Sequence, residues 1–577
     1  MSRFKLPEFI HEVIDDPRQR GILLAGVLAM LAVGLVPRVL SPGLPNAQET
    51  IRLQPEIRNV FLLIAFLSTA TIILGGLVSD VVRRRWLLTG GLATMAVASA
   101  VAIVAQRDLV FYVANIAAIA ASGVVLAYAI GSVAVAYEGI PRATALGFVY
   151  GAFGLGTAAS PALVTLFPEL IPSSDPSVPM DFTFDTWLAY LVTAAASGVA
   201  LWAALRWIPA LPGTLPAQRG LIVSIAVWSM AILAIASGVL GLFGPAPRLL
   251  PLVLIVGGGV VLSTIVFRLR RSIVEWGQLR LDQRGLGAAL SVGMAVGFAQ
   301  AVPMMFLPIV FEYPLDYGTV MAIVAIAPFA IALLAAGPIA GVLIRRFGPR
   351  GMMTSGTLVL GAANLAVAIV LIWLTGQARD AWQTDPTGAS GGLFEFHYLL
   401  FILPLALVGA GFVLATTVRT AIVFASTPRG LPGSAAAINE ASVGLGSRIG
   451  IVVATGAVTM AAIRSAEAMV VGRTNATQLV SEFETALISL GTPRFKQLME
   501  ASYQDPEPLR RAAYSVAYLD GVTWALVISG IVGIGGALLA FALMGRRDPI
   551  KAVFDMQDER EREDYVPTGT PDATKDG

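Results

Sequence analysis

The chain of 577 residues has no cysteine and only two histidines, His11 and His397. The first absence excludes disulfide frameworks, zinc ribbons and thiolate catalysis. The second excludes a His-rich or di-His zinc motif. Charge is scarce as well: Asp, Glu, Lys and Arg together make up 13% of the chain. Soluble globular proteins carry about 25%, so a soluble enzyme with a polar coat is excluded. There is no Gly-x-x-x-x-Gly-Lys-Ser/Thr loop to cradle a nucleotide phosphate, so energy for any uphill work has to come from an ion gradient.

Apolar residues are what the chain has in excess, at 56%. A bilayer span takes about 20 of them. Apolar segments fall at 21–41, 58–79, 86–105, 110–137, 143–167, 186–207, 219–243, 249–268, 286–311, 318–344, 352–375, 398–424, 434–462 and 518–544. They are too long, and lack the alternation, for barrel strands. The expected fold class is therefore an all-α membrane protein with fourteen spanning helices. Interior Gly and Pro fit that reading, because neighbouring helices re-satisfy freed backbone groups in a membrane.

Arginine sets the expected orientation. With the N-terminus inside, the inner segments collect Arg83, Arg84, Arg85, Arg142, Arg268, Arg270, Arg271, Arg345, Arg346, Arg350, Arg546 and Arg547, whereas the short outer loops hold Arg52, Arg58, Arg107, Arg248 and Arg379. Both termini are then cytoplasmic. The polar first twenty residues give no sign of a cleavable signal peptide. The expected organisation is a cytoplasmic segment 1–20, a six-helix half 21–207, two extra helices with a basic linker 208–285, a second half 286–544 with an outer segment 463–517, and a disordered tail 545–577. The outer segment is amphipathic in places, as in ATQLVSEFETALISL, and reads as short surface helices.

One motif occurs twice. GGLVSDVVRRRWLLTGG (Gly75 to Gly91) follows the second span and GPIAGVLIRRFGPRGMM (Gly337 to Met353) the tenth. Each pairs glycines on the last helical turns with a short Arg-rich loop. Parallel repeats about an axis along the membrane normal are a transporter architecture, with the substrate site between the halves.

With these motifs the chain resembles the major facilitator superfamily, and within it the 14-span drug:proton antiporter branch of QacA/EmrB type. The family's Gly-x-Leu-Ala-Asp-Arg-x-Gly-Arg-Arg loop is matched by Gly76, Asp80, Arg84 and Arg85, with Val78 at the Leu position, Arg83 in place of the second Gly and Val81 in place of the first Arg. The second copy keeps Gly341, Leu343, Arg346, Gly348 and Arg350, and puts Arg345 where the Asp stands. The fifth span, GAFGLGTAASPALV, is similar to the antiporter motif through Gly151, Gly154, Gly156 and Pro161, with Ser160 for a Gly. The thirteenth, AAAINEASVGLGSRIG, is similar to an acidic motif of QacA-type proteins through Glu440 and Gly446, with Asn439 and Gly444 at positions that are acidic there. Two family features are missing. Ile119 to Gly123 lacks the fourth-span Arg, and Leu35-Val36-Pro37-Arg38 lacks the first-span acid.

The resemblance implies a secondary transporter of the bacterial inner membrane, exporting amphipathic organic compounds or drugs against protons by alternating access. Multidrug efflux, action as a monomer, and no role for cofactor or nucleic acid go with it. Gating falls to the two loop copies, and the resemblance implies that the Asp80 carboxylate docks on a helix N-terminus in the other half. Glu440 is the one carboxylate read well inside a span. Such a group is expensive in lipid and marks a functional site by default, for proton or cation coupling or as a hydrogen-bonded structural acid. Arg448, two turns on along the same stripe, is its expected electrostatic partner or an anion-binding charge. Arg38 and Arg419 read as side chains reaching the headgroups. Tyr150, Phe153, Phe298, Gln300, Met304 and Met305 are candidate cavity residues, since Met and aromatic walls suit varied ligands; packing or lipid contact is the alternative for each. The missing first-span acid and fourth-span Arg leave open an uncoupled facilitator or exporter of an endogenous metabolite or lipid-like product. A transport-inactive scaffold or sensor is a third possibility.

Overall fold

The computed structural model describes residues 13–36 except 14, 58–105 except 81 and 83, 108–170, 182–209, 256–261, 284–384 except 313, 316, 318–320 and 323, 397–427, 431–470, 480–481 and 508–544. Among these every regular element is helical: α1 (Pro17–Leu35), α2 (Arg58–Ser79), α3 (Arg84–Val104), α4 (Asp108–Ala136), α5 (Gly139–Leu170), α6 (Phe182–Trp207), α7 (Arg284–Glu312), α8 (Ala327–Thr384), α9 (Tyr398–Ser426), α10 (Pro432–Val470) and α11 (Pro508–Leu543). Helix α8 is two crossings in one. Gly348 breaks it at φ 72° and ψ 162°, a conformation that a side chain would strain, and Pro349 starts the second limb. Among the described residues six long helices thus precede the central region, and six helices or helix limbs follow it. Nine helices among the described residues, with α8 counted once, are long and apolar enough to cross a membrane.

Several boundaries differ from the sequence expectation. Helix α1 begins at Pro17, where Asp16 caps it by accepting from the Arg18 amide at 2.8 Å. Helix α10 runs on to Val470 and α11 starts at Pro508, so both ends of the expected outer segment 463–517 are helical. Both extensions are less apolar than the spans they prolong, so hydropathy alone ends the spans early. Of the two extra central spans, 219–243 lies outside the described residues, and 249–268 is described only over 256–261, which is helical.

Because the helices alternate in direction, the chain has two ends. One holds Asp80, the start of α3, the α4–α5 junction, Gly348 and the start of α10. At this end one apolar core runs across both halves, with Val133, Leu146 and Val149 of the first half in one cluster with Leu286, Ile422 and Ala435 of the second. At the other end a separate cluster belongs to the second half alone, with Phe306, Phe311, Leu371, Phe401, Val458 and Tyr518. The halves therefore share a core at the Asp80 end.

A proline inside α7 shows how the second half satisfies its backbone. Pro303 has no N–H for the Ala299 carbonyl four residues back. Two other helices supply donors: Asn364 Nδ2 of α8 at 2.9 Å and Ser529 Oγ of α11 at 3.1 Å. Replacing Asn364 by Leu leaves Ser529 as the one remaining donor and is expected to lower stability by about 0.5–1.5 kcal/mol. Adding Pro303→Ala, which restores the intrahelical donor, should recover most of it. Thermal midpoints of the purified protein in detergent would measure both; a double variant no better than the single one would contradict the assignment.

Candidate functional site

The twofold loop motif does the same local task in each half. Arg85 at the start of α3 donates from Nη2 to the Leu205 carbonyl in the last turn of α6. Arg350, its counterpart in the second copy, donates to the Phe541 carbonyl in the last turn of α11 at 2.6 Å, with its guanidinium 4.1 Å from the Phe541 ring centroid. Carbonyls at a helix C-terminus lack partners and carry negative partial charge, so a guanidinium is well placed there. Arg346 is exposed beside the Phe347 ring, and Gly341 is buried. The side chains of Arg84 and Pro161 lie outside the described residues.

Only the first copy carries a carboxylate, and it crosses to the other half. Asp80 is fully buried. Its Oδ1 accepts from the Gly433 amide at 2.7 Å, and its Oδ2 from the Ser434 amide and hydroxyl, each at 2.7 Å. Gly433 and Ser434 lie in the first turn of α10, where amides have no intrahelical acceptor and the helix dipole favours an anion. The approach needs glycine on both sides. A Cβ at Gly76 would lie 2.5 Å from both the Gly433 carbonyl oxygen and the Ala437 Cβ, and one at Gly433 would meet Ser79, Gly76 and Asp80. The Pro-Gly-Ser start of α10 was a readable helix-start signal, and sequence reasoning left it unused.

A second crossing joins α5 to the first limb of α8. The backbones of Gly147 and Gly337 meet so closely that a Cβ on Gly337 would lie 2.4 Å from the Gly147 oxygen. Further along, Gly154 faces Leu333 and Gly151 faces Leu333 and Leu334, whereas Gly156 packs against Gly34 of α1. The glycines of the fifth-span motif thus serve both halves. At this same end Arg142 Nε donates to the Tyr137 carbonyl at 2.8 Å and the Tyr137 hydroxyl to Val13 at 3.0 Å. Burial, and then the nearby Asp16 carboxylate, push the Tyr137 phenol up to about 12.

Between these crossings lies a buried polar cluster. Glu440 Oε1 accepts from Tyr150 Oη of α5 at 2.5 Å, from Asn439 Nδ2 at 2.7 Å and from Arg419 Nη2 of α9 at 3.4 Å. Arg419 Nη1 also donates to the Asn439 carbonyl at 2.6 Å and to Ser442 Oγ at 2.8 Å. Thr420 Oγ1 lies 2.8 Å from the Tyr150 hydroxyl and accepts from Asn439 at 2.9 Å. Two sequence expectations are corrected here. Arg419 is completely buried and does not reach headgroups, because α9 runs on to Ser426 and sets it two turns inside the helix. The cation beside Glu440 is this Arg419, not Arg448, which stands eight residues or about 12 Å further along α10. Asn439, adjacent to Glu440 in sequence, joins the same cluster.

The candidate cavity residues divide. Tyr150 is buried with its hydroxyl bound to the cluster, and Phe153 is half-buried against the shared core. On α7, Phe298 packs on Gly450. Met305 joins the second half's own cluster and Met304 the shared core, while Gln300 is half-buried. At the far end Asp520 binds Arg379 at 2.9 Å and accepts from the Ser465 hydroxyl, tying α11, α8 and α10 together within the second half.

Two sets of six helices or helix limbs among the described residues, with a repeated loop and joined at one end, are the architecture of a multi-pass membrane protein built from two halves. The Major Facilitator Superfamily model matches residues 22–451, and the chain belongs to that superfamily, whose members are transporters and not enzymes. Among solved structures it is similar to the major facilitator proton:xylose symporter XylE bound to 6-bromo-6-deoxy-D-glucose, at 13% identity, 92% of this chain, 98% of that one and a TM-score of 0.51. It is similar to a bacterial homologue of the human drug peptide transporters PepT1 and PepT2, at 15% identity, 93% and 99% coverage and a TM-score of 0.51. The human organic anion transporter MFSD10 (TETRAN) aligns over 91% of this chain and 100% of that one at 15% identity and a TM-score of 0.49. No curated protein matches. These likenesses are of fold.

Proposed function

We propose that the chain is a secondary active transporter of the 14-span antiporter branch, exporting amphipathic organic compounds against an inward flow of protons by alternating access. The arginine bias supports reading the Asp80 end as the cytoplasmic gate. The carrying observation is that a carboxylate from the first half holds the N-terminus of α10, while the same helix presents Glu440, buried among donors, to both halves. One helix therefore bears both the gate contact and the group best suited to carry a proton. The second reading, an uncoupled facilitator, is favoured by one feature of the sequence: the uncharged Ile119 to Gly123 and Leu35-Val36 stand where the branch has charge.

Reconstitution into liposomes loaded with a pH dye, with a panel of lipophilic cations, separates the two. Substrate-dependent proton movement in wild type, abolished in Glu440→Gln, is the expected result. Equal substrate flux in both proteins without a proton signal would establish the uncoupled reading.

A further inference from the structure

Helix α10 is anchored to the first half at two points, and only one belongs to the loop motif. Gly433 and Ser434 are held by Asp80 of α2. Six residues beyond Ser434, about 9 Å along the axis, Glu440 is held by the Tyr150 hydroxyl of α5. The remaining bonds around Glu440 come from Arg419, Thr420, Asn439 and Ser442, all of the second half and able to travel with α10. Among the described residues, the cluster's polar contacts between the halves all run through the Tyr150 hydroxyl. Tyr150 as a whole is 3% exposed. It reaches α10 because α5 approaches α8 through glycine backbone at Gly147 and Gly337, one turn away.

We infer that Tyr150 is a positioning residue that ties the ionisation of Glu440 to closure of the Asp80 gate; the inference rests on reading Glu440 as the coupling group. An ionised Glu440 accepts strongly from the Tyr150 hydroxyl, and α10 is held against α5 at a second point. A proton arriving at Glu440 forms an O–H bond on the carboxyl. The Tyr150 hydroxyl then meets a neutral acid instead of an anion, so its bond weakens to an ordinary one. The second hold on α10 is then reduced to ordinary hydrogen bonds, from Tyr150 to the neutral acid and from Asn439 to Tyr150, and the gate opens more readily. Loss of the proton to the opened side restores the anion and the latch. Among the described residues, the charged or titratable groups facing Glu440 are Arg419 of α9 and Tyr150 of α5. Helix α7 presents Gly293, whose added Cβ would meet Arg419 and Ser442; α2 presents Thr69 at Gly444; and α4 presents Gly131 at Ala436.

The chain's lack of cysteine makes a single-thiol reporter clean. Ala436 is fully buried and faces Gly131 across the closed end, so Ala436→Cys reacts with a soluble maleimide only when that end opens. Rates are measured in proteoliposomes and divided, at each pH, by those of an exposed Glu138→Cys control. In the otherwise wild-type reporter, acidification should speed labelling. Glu440→Gln and Tyr150→Phe should each raise it about tenfold at neutral pH, since each removes a bond to a charged group. The two combined should do no more than either alone, and the pH dependence should vanish in both. Tyr150→Phe keeps the ring and its packing; a monodisperse elution profile verifies folding, and Tyr150→Leu provides a second variant without the hydroxyl. Fast labelling in Glu440→Gln with slow, pH-dependent labelling in Tyr150→Phe would overturn the role of Tyr150 and leave the coupling reading intact. If instead the liposome assay showed proton movement in Glu440→Gln, the coupling reading itself would fall.

Discussion

Replacing Asp80 by Asn is expected to reduce transport at least about tenfold while the protein still folds, inserts and elutes as a single species. The carboxylate gives two oxygens to two backbone amides and a hydroxyl of α10. The amide of Asn keeps one acceptor and turns an NH2 toward a donor. Hydrogen bonds to a charged group are worth about 1.5–3 kcal/mol each. Losing one or more shifts the balance of closed and open states by one to two orders of magnitude, at roughly 1.4 kcal/mol per factor of ten. Folding is spared because apolar packing does not depend on the contact: one core runs across both halves, and Phe306, Leu371 and Phe401 pack wholly within the second. Transport measured per correctly inserted molecule checks the expectation. Wild-type turnover in Asp80→Asn would remove the gate from the account.

The second large effect concerns Arg419. Arg419→Met should lower stability by about 3–5 kcal/mol, because removing one partner leaves a buried charge uncompensated. The double variant Arg419→Met/Glu440→Gln should regain much of that loss, since replacing a buried ion pair by neutral groups is often close to neutral. Thermal midpoints in detergent for wild type, both single variants and the double variant complete the cycle. A double variant that simply sums the two singles would mean that Arg419 and Glu440 are not coupled, despite their 3.4 Å separation.

Much of this was legible in the sequence for physical reasons. Long apolar runs and the repeated Gly/Arg loop mark two parallel halves, and the resemblance implied a carboxylate at position 80 docked on a helix end. What could not be read was facing. Spans that are apolar all round have no polar side to point outward, so Tyr150 looked like one aromatic wall residue among several, and its hydroxyl went unconsidered. Arg419 was missed through a small boundary error. With the span ended at 424, a charge five residues from its end suggests a side chain reaching for headgroups, but α9 continues to Ser426 and the residue is enclosed by α10 and the glycine of α7. Stripe geometry on one helix points from Glu440 to Arg448 and takes no account of a partner arriving from another helix. The shared end of the two halves, with Gly147 against Gly337, likewise depends on which glycines of different helices meet.

The central claim is that the Asp80 end opens and closes between the halves. Spin labels at Glu138→Cys and Phe347→Cys, both exposed, at this end and one in each half, report it directly through their distance distribution in liposomes. The account predicts a dominant short distance in wild type and a shift of population to a longer one in Asp80→Asn. A single distance, identical in both proteins while wild type transports, would contradict it.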